Sequence, residues 1–119
     1  MKETIKSIIE WHEQTFPDAT LDGQLEKYQD ELQELAESNH KDITELADMF
    51  IVACGICRFS LARGMTAFWK VADLGAGMLL TKEQFDAAVN NKMAINRQRK
   101  WSVGKGNYQH ISEGEEHVG

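Results

Sequence analysis

The chain is poor in residues that break, cross-link or anchor a polypeptide. One proline, Pro17, occurs in 119 residues, so nowhere else is φ locked or a backbone donor lost, and long helices can run uninterrupted. Cysteine is limited to Cys54 and Cys57, close together inside one apolar run. That excludes the disulfide framework of a small secreted domain and makes a reducing cytoplasm the expected setting. Long hydrophobic runs are missing too: the longest, Met49 to Cys57, is about half of what a bilayer span requires. No signal-peptide apolar stretch follows the opening Met1 to Lys6, so neither membrane insertion nor export is expected. Positive charge is scarce, with 13 Lys and Arg against 19 Asp and Glu and a net charge of −6. This disfavours nucleic acid as a partner, and an anionic ligand would need a cation as bridge.

What is present is ordinary for a globular domain: 42% hydrophobic and 27% charged residues in a length that fits one core. Apolar residues recur at intervals of three and four, and we expect an all-α, four- to five-helix bundle with no strand. The first helix should span about Lys2 to His12, ended by Pro17. The second, about Thr20 to Glu37, carries Leu21, Leu25, Tyr28, Leu32 and Leu35 as one stripe. The third begins at an Asp42 cap with Glu45 at capping-box spacing and runs to about Ala62, where Gly64 ends it. It is apolar nearly all round, which marks a central helix covered by neighbours or by another subunit. The fourth should extend from about Thr66 to Leu80, with Gly75 and Gly77 permitting close helix approach. The fifth opens with Thr81 and Gln84 at capping-box spacing and reaches about Trp101. Residues 1–103 thus form the helical domain, and 104–119 a flexible tail ordered only if something holds it.

Carboxylates carry the chemistry. Glu31 and Glu34 on the second helix, and Glu45 and Asp48 on the third, are each spaced i, i+3, about 60° apart around the helix axis. The short Ser38 to Lys41 connection makes these helices antiparallel neighbours, so the two pairs can meet. Four acids in a partly desolvated cleft either hold protons or bind a hard cation through oxygen, for which Mg²⁺ is suited and Mn²⁺ is a possible substitute. Asp48, between Ala47 and Met49, is the clearest candidate for a buried charge, whereas Glu31 and Glu34 could also belong to a solvated acidic face. On the fifth helix Lys92, Asn96 and Arg99 lie within about 60° of one another and continue the apolar line of Phe85, Ala88 and Val89. Two cations and an amide along a bundle groove fit a polyphosphate chain, although a basic helix end also complements its own dipole.

These residues resemble the all-α nucleoside triphosphate pyrophosphohydrolases, the MazG-like group that includes the dimeric dUTPases. The resemblance rests on Asp30-Glu31-Leu32-Gln33-Glu34, on Glu45-Leu46-Ala47-Asp48, and on the stretch from Lys92 to Trp101, similar to small phage-type members. Asp30 stands where the family usually has Glu, and the gap from Glu34 to Glu45 is short. The resemblance implies metal-dependent hydrolysis of a (deoxy)nucleoside triphosphate to the monophosphate and pyrophosphate. Glu31, Glu34, Glu45 and Asp48 would be the metal ligands, Glu31 or Glu34 the general base, and Lys92, Asn96 and Arg99 the phosphate-binding group. It also implies a base pocket near the N-terminus, for which Trp11, Phe16 and Gln24 are the candidates. Trp69 and Trp101 read as packing residues; an isolated tail is expected to be disordered, and Tyr108 and His110 would close over the nucleotide only if something holds it. A helix as apolar as the third implies a homodimer or homotetramer. Phosphoribosyl-ATP pyrophosphohydrolase is the alternative enzyme, and a helical interaction module the non-enzymatic one.

Three other patterns carry no chemistry. The mid-helix Cys54-Gly55-Ile56-Cys57 lacks the helix N-terminus that a redox dithiol needs. Glu37-Ser38-Asn39-His40 lacks the second copy of a di-iron bundle. Gly75-Ala76-Gly77 lacks the third glycine of a dinucleotide loop.

Overall fold

A computed structural model describes residues 2–103 and 108–111 of the chain, with side chains as far as Trp101. Five helices and one hairpin follow in order: α1 (Ile5–Thr15), α2 (Leu21–Glu37), α3 (Ile43–Phe59), α4 (Leu61–Gly77), α5 (Lys82–Gln98), β1 (Lys100–Val103) and β2 (Tyr108–Ile111). The architecture is the expected all-α bundle. None of the helices is long and apolar enough to cross a membrane.

Local chemistry explains the boundaries. Thr4 and Ser7 cap α1 reciprocally, and the helix stops at Phe16 because the residue before a proline is pushed out of the helical region. Ser60 ends α3 and starts α4 at a single extended residue, its hydroxyl accepting from the Arg63 amide. Gly64 therefore does not terminate α3. It lies inside α4, where a β-carbon would come within 2.1 Å of Cys57 Sγ and 2.8 Å of Cys57 Cα, so its absence lets the two helices meet at their joint. Gly75 and Gly77 play no comparable part: a β-carbon at Gly75 would meet only Leu46 at 3.5 Å, and one at Gly77 nothing. The fifth helix ends at Gln98, three residues short of the sequence-based limit, and the chain turns into an antiparallel hairpin pairing Trp101 with His110 and Val103 with Tyr108. The side chains of Tyr108 and His110 lie outside the described part.

Helix α3 is central, packing against α1, α2, α4 and α5. One side joins Ile8, Trp11, Val89 and Met93 in a core with Ala47, Ile51 and Cys54, and the other joins Tyr28, Leu35, Ala67 and Val71 with Leu46, Met49, Val52 and Ile56. The buried Tyr28 hydroxyl donates to the Ala67 carbonyl at 2.9 Å, which ties α2 to α4 across α3. Both cysteines are free thiols, and burial raises the pKa of each, so neither is a ready thiolate. Trp69 departs from its expected packing role. It is 68% exposed, because α4 leans chiefly on α3 and leaves its outer face bare.

Candidate active site

The tight turn between α2 and α3 sets the geometry of the acids. Asn39 and His40 both adopt positive φ, and Ser38 Oγ accepts from the Asp42 amide at 3.3 Å, reversing the chain within a few residues. Asp42 then caps α3 through the Thr44 amide at 2.9 Å. Glu45 turns its carboxyl toward the bundle interior instead of back onto the cap. Carboxylate oxygens of Glu31, Glu45 and Asp48 converge within 4.8 Å of one another. Glu34 stands outside this trio, exposed at the rim of the same cleft with its carboxyl against that of Glu45.

Burial and mutual repulsion leave the trio short of compensation. Glu31 is 9% exposed, and its pKa is pushed up to about 9, first by burial, then by the Asp48 charge and by Glu45. Burial raises Asp48 and Glu45 as well, in Asp48 against the opposing pull of Lys92. Glu31 Oε2 and Glu45 Oε2 are buried without a hydrogen-bond partner. Either a proton shared between them or a cation satisfies such oxygens, since ionised carboxylates only accept. A hard divalent ion fits this all-oxygen donor set.

Across the cleft, α5 and its C-cap residue Arg99 present the predicted counter-wall. Lys92 Nζ lies 3.4 Å from Asp48, and Arg99 Nη1 donates toward Asn96 Oδ1 at 3.4 Å. Asn96 is 6% exposed, and its carbonyl accepts from Trp101 Nε1 at 3.3 Å, fixing the start of the hairpin over the cleft. Arg97 points the other way, to Glu3 at 2.9 Å.

All ten sequence-predicted residues line one cleft of about 530 Å³: the four acids, Lys92, Asn96 and Arg99, and at its other end Trp11, Phe16 and Gln24. Sequence reading missed four of its neighbours. Trp101, taken as packing, both packs edge-on against Trp11 and Phe16 and borders the cleft. Lys27 lies 3.9 Å from Glu31, and Asp30 borders the same opening. His12 sits behind Gln24, and its position four residues after Ile8 on the apolar stripe of α1 was the available clue.

Over 110 residues, 92% of the chain, the sequence is 32% identical to a dATP/dGTP diphosphohydrolase of Salmonella phage PMBT28. The chain spans only about a third of that relative, the matched region being 31% of its length. No family model matches the chain, and no solved structure matches it.

Proposed function

We propose that this chain hydrolyses a deoxynucleoside triphosphate to the monophosphate and pyrophosphate, using divalent cations, Mg²⁺ first, held by Glu31, Glu45 and Asp48 with Glu34 beside them. The carrying observation is the opposition, across one cleft, of three converging acids, two of them with an unsatisfied buried oxygen, and the Lys92, Asn96 and Arg99 wall. Similarity to a diphosphohydrolase over nearly the whole chain supports the same reading.

When bound, the cation supplies charge neutralisation at the phosphates and a more acidic water. The protein does the rest. Glu34, open to solvent and outside the trio, accepts the proton of the water that attacks the α-phosphorus, while Glu31 stays committed to the cluster. The bond from the α-phosphorus to the bridging oxygen breaks, and charge builds on the departing pyrophosphate. Lys92 and Arg99 meet that charge, with Lys92 leaving its pairing with Asp48 to do so. Asn96 offers its amide nitrogen, because its Oδ1 already faces Arg99.

A panel of dNTPs with Mg²⁺, resolving pyrophosphate from phosphate, tests the reading. Wild-type protein should release pyrophosphate, and Glu45→Gln and Asp48→Asn should not while keeping their helical circular dichroism. Pyrophosphate release from phosphoribosyl-ATP alone would favour the alternative enzyme. Full activity in either carboxylate variant would remove the site, and melting indifferent to Mg²⁺ would favour an interaction module.

The working form we propose is a homodimer built on the α4 face. Leu61, Met65 and Trp69 are exposed beside an apolar trough of about 760 Å³, in whose lining Lys82 is the one charged residue among the described residues. Two identical copies can bury this face without stacking like charges, although each carries a net charge of −6. Light scattering should give a dimer for wild type and a monomer for Leu61→Glu/Trp69→Glu; a monomeric wild type refutes it.

A further inference from the structure

Behind the nucleoside end of the cleft lies a line of polar groups that phosphate chemistry does not use. Arg58 Nη1 donates to the Phe16 carbonyl at 2.8 Å and stands 3.1 Å from His12 Nδ1. A guanidinium has no acceptor, so Nδ1 must offer its lone pair, and a neutral ring then carries its proton on Nε2. The ring is neutral: His12 is 3% exposed, and burial, helped by Arg58, holds its pKa at about 4.

Gln24 stands on the Nε2 side of the ring. Its Oε1 and His12 Nε2 each lie 2.7 Å from where a β-carbon of residue 55 would be, so Gly55 makes room for the pair and the amide oxygen is the Gln24 atom set beside the ring nitrogen. A donating Nε2–H can meet only the amide oxygen. The orientation of an amide, otherwise free to flip, is thus set by Arg58 through the imidazole, and the Gln24 nitrogen is left for the cleft that this residue lines.

We infer that Arg58 and His12 are positioning residues that make Gln24 an obligate hydrogen-bond donor to the nucleobase, selecting purines through the N7 acceptor that adenine and guanine share. This rests on the proposed dNTP hydrolysis. The phage relative is named for dATP and dGTP together; a donor aimed at the 6-position would separate those two purines, which carry an amino group and a carbonyl there, whereas N7 is an acceptor in both. Trp11 and Phe16, with Trp101 against them, supply apolar area beside the amide. Arg58 also holds the Phe16 backbone, so one guanidinium fixes both the apolar and the polar side of the pocket.

Binding of the α,β-imido analogues of dATP and dGTP, with and without 7-deaza substitution, tests the relay in wild type, Gln24→Glu and Arg58→Met. Glutamate keeps an acceptor for His12 and removes the donor, so it isolates the claim even if Arg58→Met fails to fold. Removing N7 should weaken wild-type binding about five- to tenfold and either variant's binding by less than about twofold. Nitrogen-15 NMR of wild type should find His12 as the Nε2–H tautomer. An equal 7-deaza penalty in wild type and Gln24→Glu, or an Nδ1–H tautomer, overturns the relay. Binding that is N7-dependent without dNTP turnover would sink the hydrolase reading and leave the relay standing, while turnover with no 7-deaza penalty would sink the relay alone.

Discussion

Stability of the metal-free protein should fall as pH rises, and divalent cations should reverse the fall. Glu31 has an ordinary pKa of 4.5 and is held at about 9 in the folded state. Between those values the folded chain binds more protons than the unfolded one, so unfolding stability decreases with increasing pH through that window. A raised carboxyl keeps its contribution below the ordinary value and loses it as pH climbs toward the folded one. One proton difference is worth about 1.4 kcal/mol per pH unit, so moving from pH 5.5 to pH 8 should remove roughly 3 kcal/mol. For a domain of this size that is a drop in Tm of roughly 10 °C. Glu45 and Asp48 shift in the same direction and sharpen the trend. A cation at about a hundred times its Kd returns about 2.7 kcal/mol, and the gain should be larger at pH 8, where it displaces less of the shared proton. Melting followed by circular dichroism at the two pH values, with EDTA or with Mg²⁺, measures both effects. Glu45→Gln should flatten the metal-free pH dependence and lose the Mg²⁺ response together. A Tm independent of pH in EDTA, or a Mg²⁺ gain equal at both pH values, would show that the three acids do not share one electrostatic site.

Other expectations follow from single contacts. Arg99→Ala should lower kcat roughly a hundredfold, because a charged donor to the leaving group is lost, yet leave the Mg²⁺-dependent rise in Tm intact; steady-state pyrophosphate release measures it, and an unchanged kcat would count against the α5 wall. Gly64→Ala should destabilise by roughly 2–3 kcal/mol in urea melts, since the new methyl meets Cys57 backbone 2.8 Å away that cannot rotate aside. Leu79 sits at φ 58° on the surface, so Leu79→Gly should stabilise by about 0.5–1 kcal/mol, left-handed strain outweighing the added chain entropy.

Much of the fold could be read because the helices obey one-dimensional rules. The stripe Leu21, Leu25, Tyr28, Leu32 and Leu35, the Thr81 box and the all-round apolarity of residues 46–57 each state a face or an end. Where reading failed, two local rules competed. Gly64 looked like a stop because glycine commonly follows helices, but Ser60, a better cap, stood four residues earlier. Carrying the fifth helix on to about Trp101 overlooks that Trp101 and Val103 alternate with polar residues, and that Gly104, Gly106 and Asn107 separate them from the alternating Tyr108 to Ile111. Trp69 was misjudged for another reason. Periodicity identifies an apolar face but not whether the chain itself supplies anything to cover it.

The site divides along the same line. Acids at i, i+3 on two antiparallel helices are fixed in relation to one another by the helix repeat and a short turn, so all four could be placed together from sequence, though Glu34 ends at the rim while Glu31, Glu45 and Asp48 converge. Lys92 and Asn96 obey the same helix repeat, whereas Arg99 joins them as the extended cap residue just past Gln98 and Arg97 turns away to Glu3. No such rule joins Arg58 to His12 or His12 to Gln24. They come from three helices, and their meeting depends on the missing side chain of Gly55, which sequence records only as a glycine in the middle of a helix, where it is ordinarily unfavourable. A glycine kept at that expense inside the most apolar helix marks a place where something other than apolar packing sits against it. Gly55→Ala should therefore act on nucleotide selection more than on phosphate chemistry. The added methyl would press on Gln24 Oε1 and His12 Nε2 from 2.7 Å, so KM for purine triphosphates should rise several-fold while the Mg²⁺-dependent melting shift persists. If KM and the Mg²⁺ shift were lost in parallel, the two ends of the cleft would have to be one mechanical unit, and the separation of base selection from metal binding drawn from their geometry would be wrong.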